Sequence, residues 1–252
     1  MRLAVLADIH GNAIALEAVL ADLEQAPAEQ APAEQVVCLG DAIQGGPQPA
    51  EVVAQLRALA CPVVMGNADA WLLTGHETGN EPITAAQETM RQWSLARLSP
   101  ADREFIAAFV PTVTLPLPEG KTLLAFHGSP ASFDDILLPE TPYDEFTRRY
   151  GPYAPAILTG GHTHIQYVRR LGETFYFNPG SVGVVYDQHQ PDDPDVGVRL
   201  DAWAEYAVLE VRRERLALEL RRVPFAAEAL IQAARAAGSP GSERLARQYS
   251  RL

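Results

Sequence analysis

The chain has 252 residues, is 47% hydrophobic, carries a formal net charge of −12 and has two cysteines. That length can bury a substantial core in one large domain or two small ones. The acidic balance argues against non-specific binding to nucleic-acid polymers or anionic membranes, while leaving small anionic substrates open.

Arg2 to Ala7 reads as a first strand ending at Asp8-Ile9-His10. This apolar stretch is too short, and too soon interrupted by a carboxylate, for a signal segment. No run of about 18 apolar residues offers a membrane span, so a cytoplasmic location is expected. Gly11-Asn12 opens a helix with Leu16, Val19, Leu20 and Leu23 on one face, and Asn12 is placed as its N-cap. Such an N-terminus also attracts phosphate. Gln25 to Glu34 repeats Gln-Ala-Pro-Ala-Glu twice and reads as a loop, because the prolines preclude a continuous helix. Gln35 to Leu39 is a buried strand that delivers Asp41 to its carboxyl edge, where open α/β sheets place their chemistry. A turn-rich Gln44-Gly45-Gly46-Pro47 follows, then a helix burying Val52, Val53, Leu56 and Leu59. Cys61 to Met65 reads as a third strand leading into Gly66-Asn67. The alternation of strand and helix indicates a parallel sheet built by right-handed crossovers. Both cysteines, Cys38 and Cys61, sit in strand-like runs and are expected to be reduced core thiols.

Residues 70 to 110 look helical, with Ser99-Pro100 a start signal and His76 in a polar loop as a solvated side chain. From Thr112 the texture turns to strands, Thr112 to Leu117 and Thr122 to Phe126, around Pro118-Glu119-Gly120-Lys121. The second runs into His127-Gly128-Ser129. Residues 131 to 155 form a long polar, proline-rich connection with a helical piece near Glu145, of the kind that serves as a lid or specificity loop. Ala156 to Leu158, Ile165 to Arg169 and Thr174 to Phe177 are further strands, punctuated by Gly160-Gly161-His162-Thr163-His164 and Asn178-Pro179-Gly180-Ser181. Asp187 to Asp195 is acidic and reads as a mobile loop. Tyr206 to Val211 and Leu216 to Leu220 pair as a hairpin, the second turning Leu216, Leu218 and Leu220 inward. A helix follows from Ala226 to Ala237, and the end, with Arg244, Arg247 and Arg251, reads as a solvated basic tail.

Asp8, His10, Asp41, Asn67, His127, His162 and His164 each close an apolar run at a glycine turn. A lone Asp-x-His or His-x-His is weak evidence for a metal site, but five such stretches in one chain are not easily accidental. All are oxygen or imidazole ligands with no cysteine among them, which suits Mn²⁺, Fe²⁺ or Zn²⁺ and argues against a structural thiolate site. Seven are too many for one tetrahedral ion and suit two ions sharing a carboxylate, the arrangement used to hydrolyse phosphate esters.

The order Asp-x-His, Gly-Asp, Gly-Asn-x-Asp, His-Gly, Gly-His-x-His resembles the calcineurin-like metallophosphoesterase family, and within it the small bacterial and archaeal phosphodiesterases. The resemblance spans residues 3 to about 183. It implies an α/β protein, a four-layer α/β/β/α sandwich of two mixed sheets flanked by helices. It would form one domain over 1–252, with 201–252 a C-terminal hairpin plus helix. By matching position, Asp8, His10 and His164 would hold one ion, Asn67, His127 and His162 the other, and Asp41 would bridge them. Two divalent ions are implied, Mn²⁺ foremost, with Fe²⁺, Fe³⁺, Zn²⁺, Ni²⁺ and Mg²⁺ as alternatives. A hydroxide between them would attack phosphorus in line. Asp41, Asn67 and Asp69 would serve catalysis, Asp69 from behind the ligands, and Asn12 and Asn67 would touch substrate. Ala68 stands where many members carry a histidine that assists the leaving group. That departure favours a small, nucleotide-like phosphodiester over a phosphomonoester or a phosphoprotein as substrate. A non-catalytic metal-binding scaffold is the remaining alternative, and homo-oligomerisation is left open.

Overall fold

The computed structural model describes residues 1–25, 33–76, 83–150, 153, 155–187, 197–213 and 215–250. Most of the tandem pentapeptide, residues 188–196 of the acidic loop, Glu214 of the hairpin turn and Arg251 lie outside them.

Strand β1 (Arg2–Leu6) is buried along its whole length, as the apolar run Leu3 to Leu6 requires, with Arg2 buried beside it. It pairs in parallel with β2 (Gln35–Cys38). On its other side it pairs antiparallel with β10 (Trp203–Arg212), which pairs in turn with β11 (Arg215–Pro224), so the first sheet has the order β11-β10-β1-β2. The second sheet contains β3 (Val113–Pro116), β4 (Thr122–Ala125), β5 (Ile157–Thr159), β6 (Gln166–Leu171) and β7 (Thr174–Pro179), in the order β3-β4-β5-β7-β6. A short hairpin, β8 (Val185–Tyr186) with β9 (Leu200–Asp201), stands apart.

The two-residue period of the strands sorts their side chains into layers. Leu3, Val5 and Ala7 of the β1 run join Val37, Leu39, Leu123, Ala125, Phe177 and Leu209 in a core between the sheets. Leu6, Cys38 and Val208 face the opposite way, against α1 (Ala13–Glu24), α2 (Pro49–Leu59), α5 (Pro100–Ala107) and α7 (Ala227–Ala236), through Leu16, Val19, Val52, Leu56, Ile106 and Leu230. On the far side α6 (Tyr143–Tyr150) covers the second sheet by seating Phe146 among Leu124, Phe126, Leu158 and Tyr176. The result is the expected α/β/β/α sandwich of two mixed sheets. Helices α3 (Asn67–Thr74) and α4 (Ala85–Leu95) sit at its edge. Ser99 caps α5 through a capping box with Asp102, as its Ser-Pro start suggested. No helix among the described residues is long and apolar enough to cross a membrane. Both thiols are free, Cys38 buried and Cys61 half-buried.

Three expectations need correction. Cys61 to Met65 is not a strand of its own. It makes only isolated bridges, Cys38 with Val63 and Val64 with Val110, because Pro62 lacks an N–H and the chain turns at once into Gly66. In β11 only Leu218 packs against the inter-sheet core; Leu216 and Leu220 are exposed, since β11 is the outermost strand of its sheet. The basic end is not a loose tail either. Ser242–Gln248 forms α8, and Leu245 and Tyr249 pack against the helix-side core.

Glu205 of β10 lies opposite Arg222 of β11, and their side chains meet at 3.0 Å. Burial dominates over the guanidinium and pushes the Glu205 carboxyl up to about 7. A carboxyl raised above its unfolded value binds more protons folded than unfolded between the two pKa values, so its contribution to stability falls as pH rises through that window. Denaturant titrations at pH 5 and pH 8 should therefore show Glu205→Gln gaining on the wild type at the higher pH, by up to about 3 kcal/mol.

Candidate metal centre

The carboxyl ends of β1 and β2 continue side by side past their last ladder bonds. Asp8 N donates to Gly40 O, His10 N to Asp41 O and Gly11 N to Ala42 O, at 2.9–3.0 Å. The second sheet joins at the same edge, where Gly161 N donates to His127 O and Val182 N to Ala7 O, both at 2.9 Å. The His162 main-chain N–H also donates to Asp8 Oδ2 at 3.0 Å. Five of the candidate ligands, Asp8, His10, Asp41, His162 and His164, have φ between 47° and 68°. Non-glycine residues adopt this left-handed conformation at a cost of roughly 1 kcal/mol or more each, and they cluster where function requires it.

All seven residues converge. Asp8, His10 and His164 bring one ligand atom each to within 4.8 Å of one another, and so do Asp41, His127 and His162. Asp41 Oδ2 reaches both groups, 3.4 Å from His127 Nε2 and 3.8 Å from His10 Nε2. Asn67, the first residue of α3, brings Oδ1 to 3.0 Å from His127 Nε2.

The hydrogen-bond pattern bears on what this geometry could hold. His10 Nδ1 donates to Gln44 O at 2.8 Å, His127 Nδ1 to Leu39 O at 2.8 Å and His164 Nδ1 to Val184 O at 2.9 Å. With the proton on Nδ1, each Nε2 carries a lone pair. Yet His10 Nε2 and His164 Nε2 face each other at 3.1 Å, and His127 Nε2 faces the Asn67 carbonyl oxygen. Asp8 Oδ1 is enclosed with no hydrogen-bond partner and lies 3.5 Å from His164 Nε2. Lone pairs and carboxylates gathered this closely repel unless a cation stands among them, so the donor set fits divalent metal. Where a proton must serve instead, Asp41 overcomes burial and lifts His127 to about 9.

Asp69 lies one turn into α3, fully buried, and accepts from Ala42 N at 3.0 Å and Ile43 N at 2.9 Å. It grips the loop that carries Asp41. Burial, and then the charge of Asp41, push its carboxyl up to about 7. Ala68 N donates to Asp41 Oδ1 at 2.8 Å, so the start of α3 points at the Asp41 carboxylate. Asn12 is the N-cap that its place before α1 suggested. It is 2% exposed; its Oδ1 caps α1 through Ala15 N and its Nδ2 donates to Gly183 O. One N–H and one oxygen lone pair of the carboxamide are thus engaged inside the protein. His76 is exposed between α3 and α4, as expected.

Several supporting groups were not singled out beforehand. The carbonyls of Gln44, Leu39 and Val184 set the histidine tautomers, and any residue type can supply a carbonyl. Tyr186 stacks on the His164 ring, with centroids 5.1 Å apart and planes 10° from parallel. Ser181 Oγ donates to Asp8 O at 2.8 Å, and Asn178 Nδ2 to Gly161 O at 2.8 Å. Those last two belong to the Asn-Pro-Gly-Ser stretch, which the sequence did flag.

Comparison with known proteins adds an independent line. A family model described as the calcineurin-like phosphoesterase superfamily domain matches residues 1–198. Phosphodiesterase YfcE of Escherichia coli K12 is 28% identical over 194 residues, covering 73% of this chain and 80% of YfcE. The crystal structure of a metallophosphoesterase from Sphaerobacter thermophilus superposes with a TM-score of 0.71 at 23% identity, covering 98% of this chain and 99% of that one. A hypothetical protein, PH1004 of Pyrococcus horikoshii OT3, does so with a TM-score of 0.80 at 20% identity, covering 98% and 97%.

Proposed function

The chain belongs to the calcineurin-like phosphoesterase superfamily, and from that premise we propose that it is a binuclear metal-dependent phosphodiesterase acting on small, nucleotide-like phosphodiesters. The observation that carries this reading is the pair of Asp/His groups with Asp41 within reach of both. Asp8, His10 and His164 would hold one divalent ion, and His127, His162 and Asn67 the other, with Asp41 shared and Mn²⁺ the expected metal. When bound, such a pair supplies Lewis acidity at phosphorus and a water nucleophile at neutral pH.

The chain's own residues then account for orientation. The carbonyls of Gln44, Leu39 and Val184 keep three imidazoles in the metal-binding tautomer. Asp69 holds the loop after Asp41 in place by two main-chain bonds. The Asn67 amide, at the positive end of α3, would steady an oxygen of the phosphoryl group. With Ala68 where a histidine would assist the leaving group, the chain favours a diester with an alcohol that departs readily. A complete set of ligand types supports an enzyme over a scaffold, which has no need of them.

The test is turnover by metal-stripped protein resupplied with Mn²⁺, using bis- and mono-nitrophenyl phosphate. Chelation should abolish hydrolysis, Mn²⁺ should restore it, and kcat/KM should favour the diester by at least about tenfold, or roughly 1.4 kcal/mol in transition-state binding. Preference for the monoester would overturn the diesterase reading. No turnover of either ester despite bound Mn²⁺ would overturn the enzyme itself.

A further inference from the structure

The metal centre opens at one end of a cleft of about 1400 Å³. That is larger than the roughly 300–1,000 Å³ that suffices for most small ligands, and far more than a phosphoryl group needs. Asn67 and His162 line it, as do Trp71, Met90 and Leu245 of α8. The matched family region stops at residue 198, so Leu245 comes from a part of the chain beyond it.

Gln44 also lines the cleft. It is 5% exposed, and its Oε1 is enclosed without a hydrogen-bond partner. An unmet buried acceptor is costly and calls for an explanation. The backbone cannot carry it away, because the Gln44 main-chain carbonyl is the acceptor for His10 Nδ1 at 2.8 Å. Unlike Asp8 Oδ1, an uncharged carboxamide is not needed to complete either Asp/His group. As the side chain stands its Oε1 is closed off from the cleft, so a ligand's donor meets it once the carboxamide turns outward, where it offers an acceptor and two donors in one plane.

We propose that Gln44 reads the alcohol arm of the phosphoester, and that this arm carries hydroxyl or N–H donors, as a nucleoside does, and lies along the cleft toward α8. The proposal rests on the phosphoesterase reading of the adjoining centre. Sites built to bind a polar group discriminate strongly against analogues that lack it, because their own buried group is then left unpaired.

Calorimetric titration of Mn²⁺-loaded protein with inorganic phosphate, propyl phosphate and thymidine 5′-phosphate tests this without turnover. The wild type is expected to bind thymidine 5′-phosphate at least about tenfold more tightly than propyl phosphate. Gln44→Leu, and the more flexible Gln44→Met should the first fold poorly, are expected to reduce that advantage by about tenfold. Inorganic phosphate, titrated into each variant, reports any disturbance of His10 through the Gln44 main chain, so the quantity compared is the ratio of the two organic ligands' affinities within one variant. An advantage that survives both substitutions, or that is absent from the wild type, overturns the assignment of Gln44 while leaving the metal centre intact. Failure of the loaded wild type to bind inorganic phosphate overturns the reading of the metal centre, and this proposal with it.

Discussion

Asp41→Asn is expected to lower turnover by at least about a thousandfold, some 4 kcal/mol of transition-state stabilisation, and to leave the protein unable to retain two ions. Asp41 is 4% exposed, and its Oδ2 is the atom within reach of both histidine groups. Burial opposes its ionisation, but the surrounding histidines, His127 foremost, win and hold its carboxyl well below the usual range. The amide is nearly isosteric and can still accept from Ala68 N, so the fold should survive. What disappears is the negative charge that lets two cations approach each other. Elemental analysis after Mn²⁺ reconstitution, run beside the turnover assay, separates lost binding from lost chemistry. A variant that keeps two ions per chain and works within tenfold of the wild type would remove Asp41 from the centre of the mechanism.

Gly66→Ala should be as damaging for a different reason. The conformation of Gly66, φ −92° and ψ 165°, suits alanine well. The space does not: a Cβ there would stand 2.1 Å from Asp41 Oδ1 and 2.2 Å from Asp41 N. Gly40 meets the same strand end from the other side, its own Cβ position lying 2.5 Å from Gly66 N. Asp41 N is backbone, and Asp41 Oδ1, though a side-chain end, is held by Ala68 N at 2.8 Å, so the start of α3 and the Asp41 loop must part. Overpacking of this kind costs about 3 kcal/mol or more, and a displacement of about 1 Å at a reacting group can cost a hundredfold in rate. Urea denaturation and kcat should fall together. Wild-type stability with wild-type turnover would mean that the two segments are not in contact in solution.

Much of this centre was legible beforehand because its chemistry is written in scarce residue types. Four of the six histidines stand at strand ends, three of them next to a glycine, and Asp8 and Asp41 each close an apolar run. Strand periodicity and the Ser99-Pro100 start gave the surrounding elements. Other features had no such mark. The carbonyls of Leu39, Gln44 and Val184 orient imidazoles, but a carbonyl belongs to every residue. Asn12 has one sequence signature for capping and for touching phosphate, and its bond from Ala15 N shows the first of these. The alternation of Leu216, Leu218 and Leu220 shows which side chains share a face, not that the strand is outermost. Helix α8 has just seven residues and is anchored largely by Leu245 and Tyr249, too few to produce a period among its arginines.

The left-handed backbone at Asp8, His10, Asp41, His162 and His164 bears on how such a chain drifts. Glycine at any of these positions would relieve roughly 1 kcal/mol of strain, so random substitution finds a more stable protein by discarding the centre. Stability and the ligand set therefore pull a lineage in opposite directions. On the proposed metal-centre reading, ligation by these side chains is what offsets that strain.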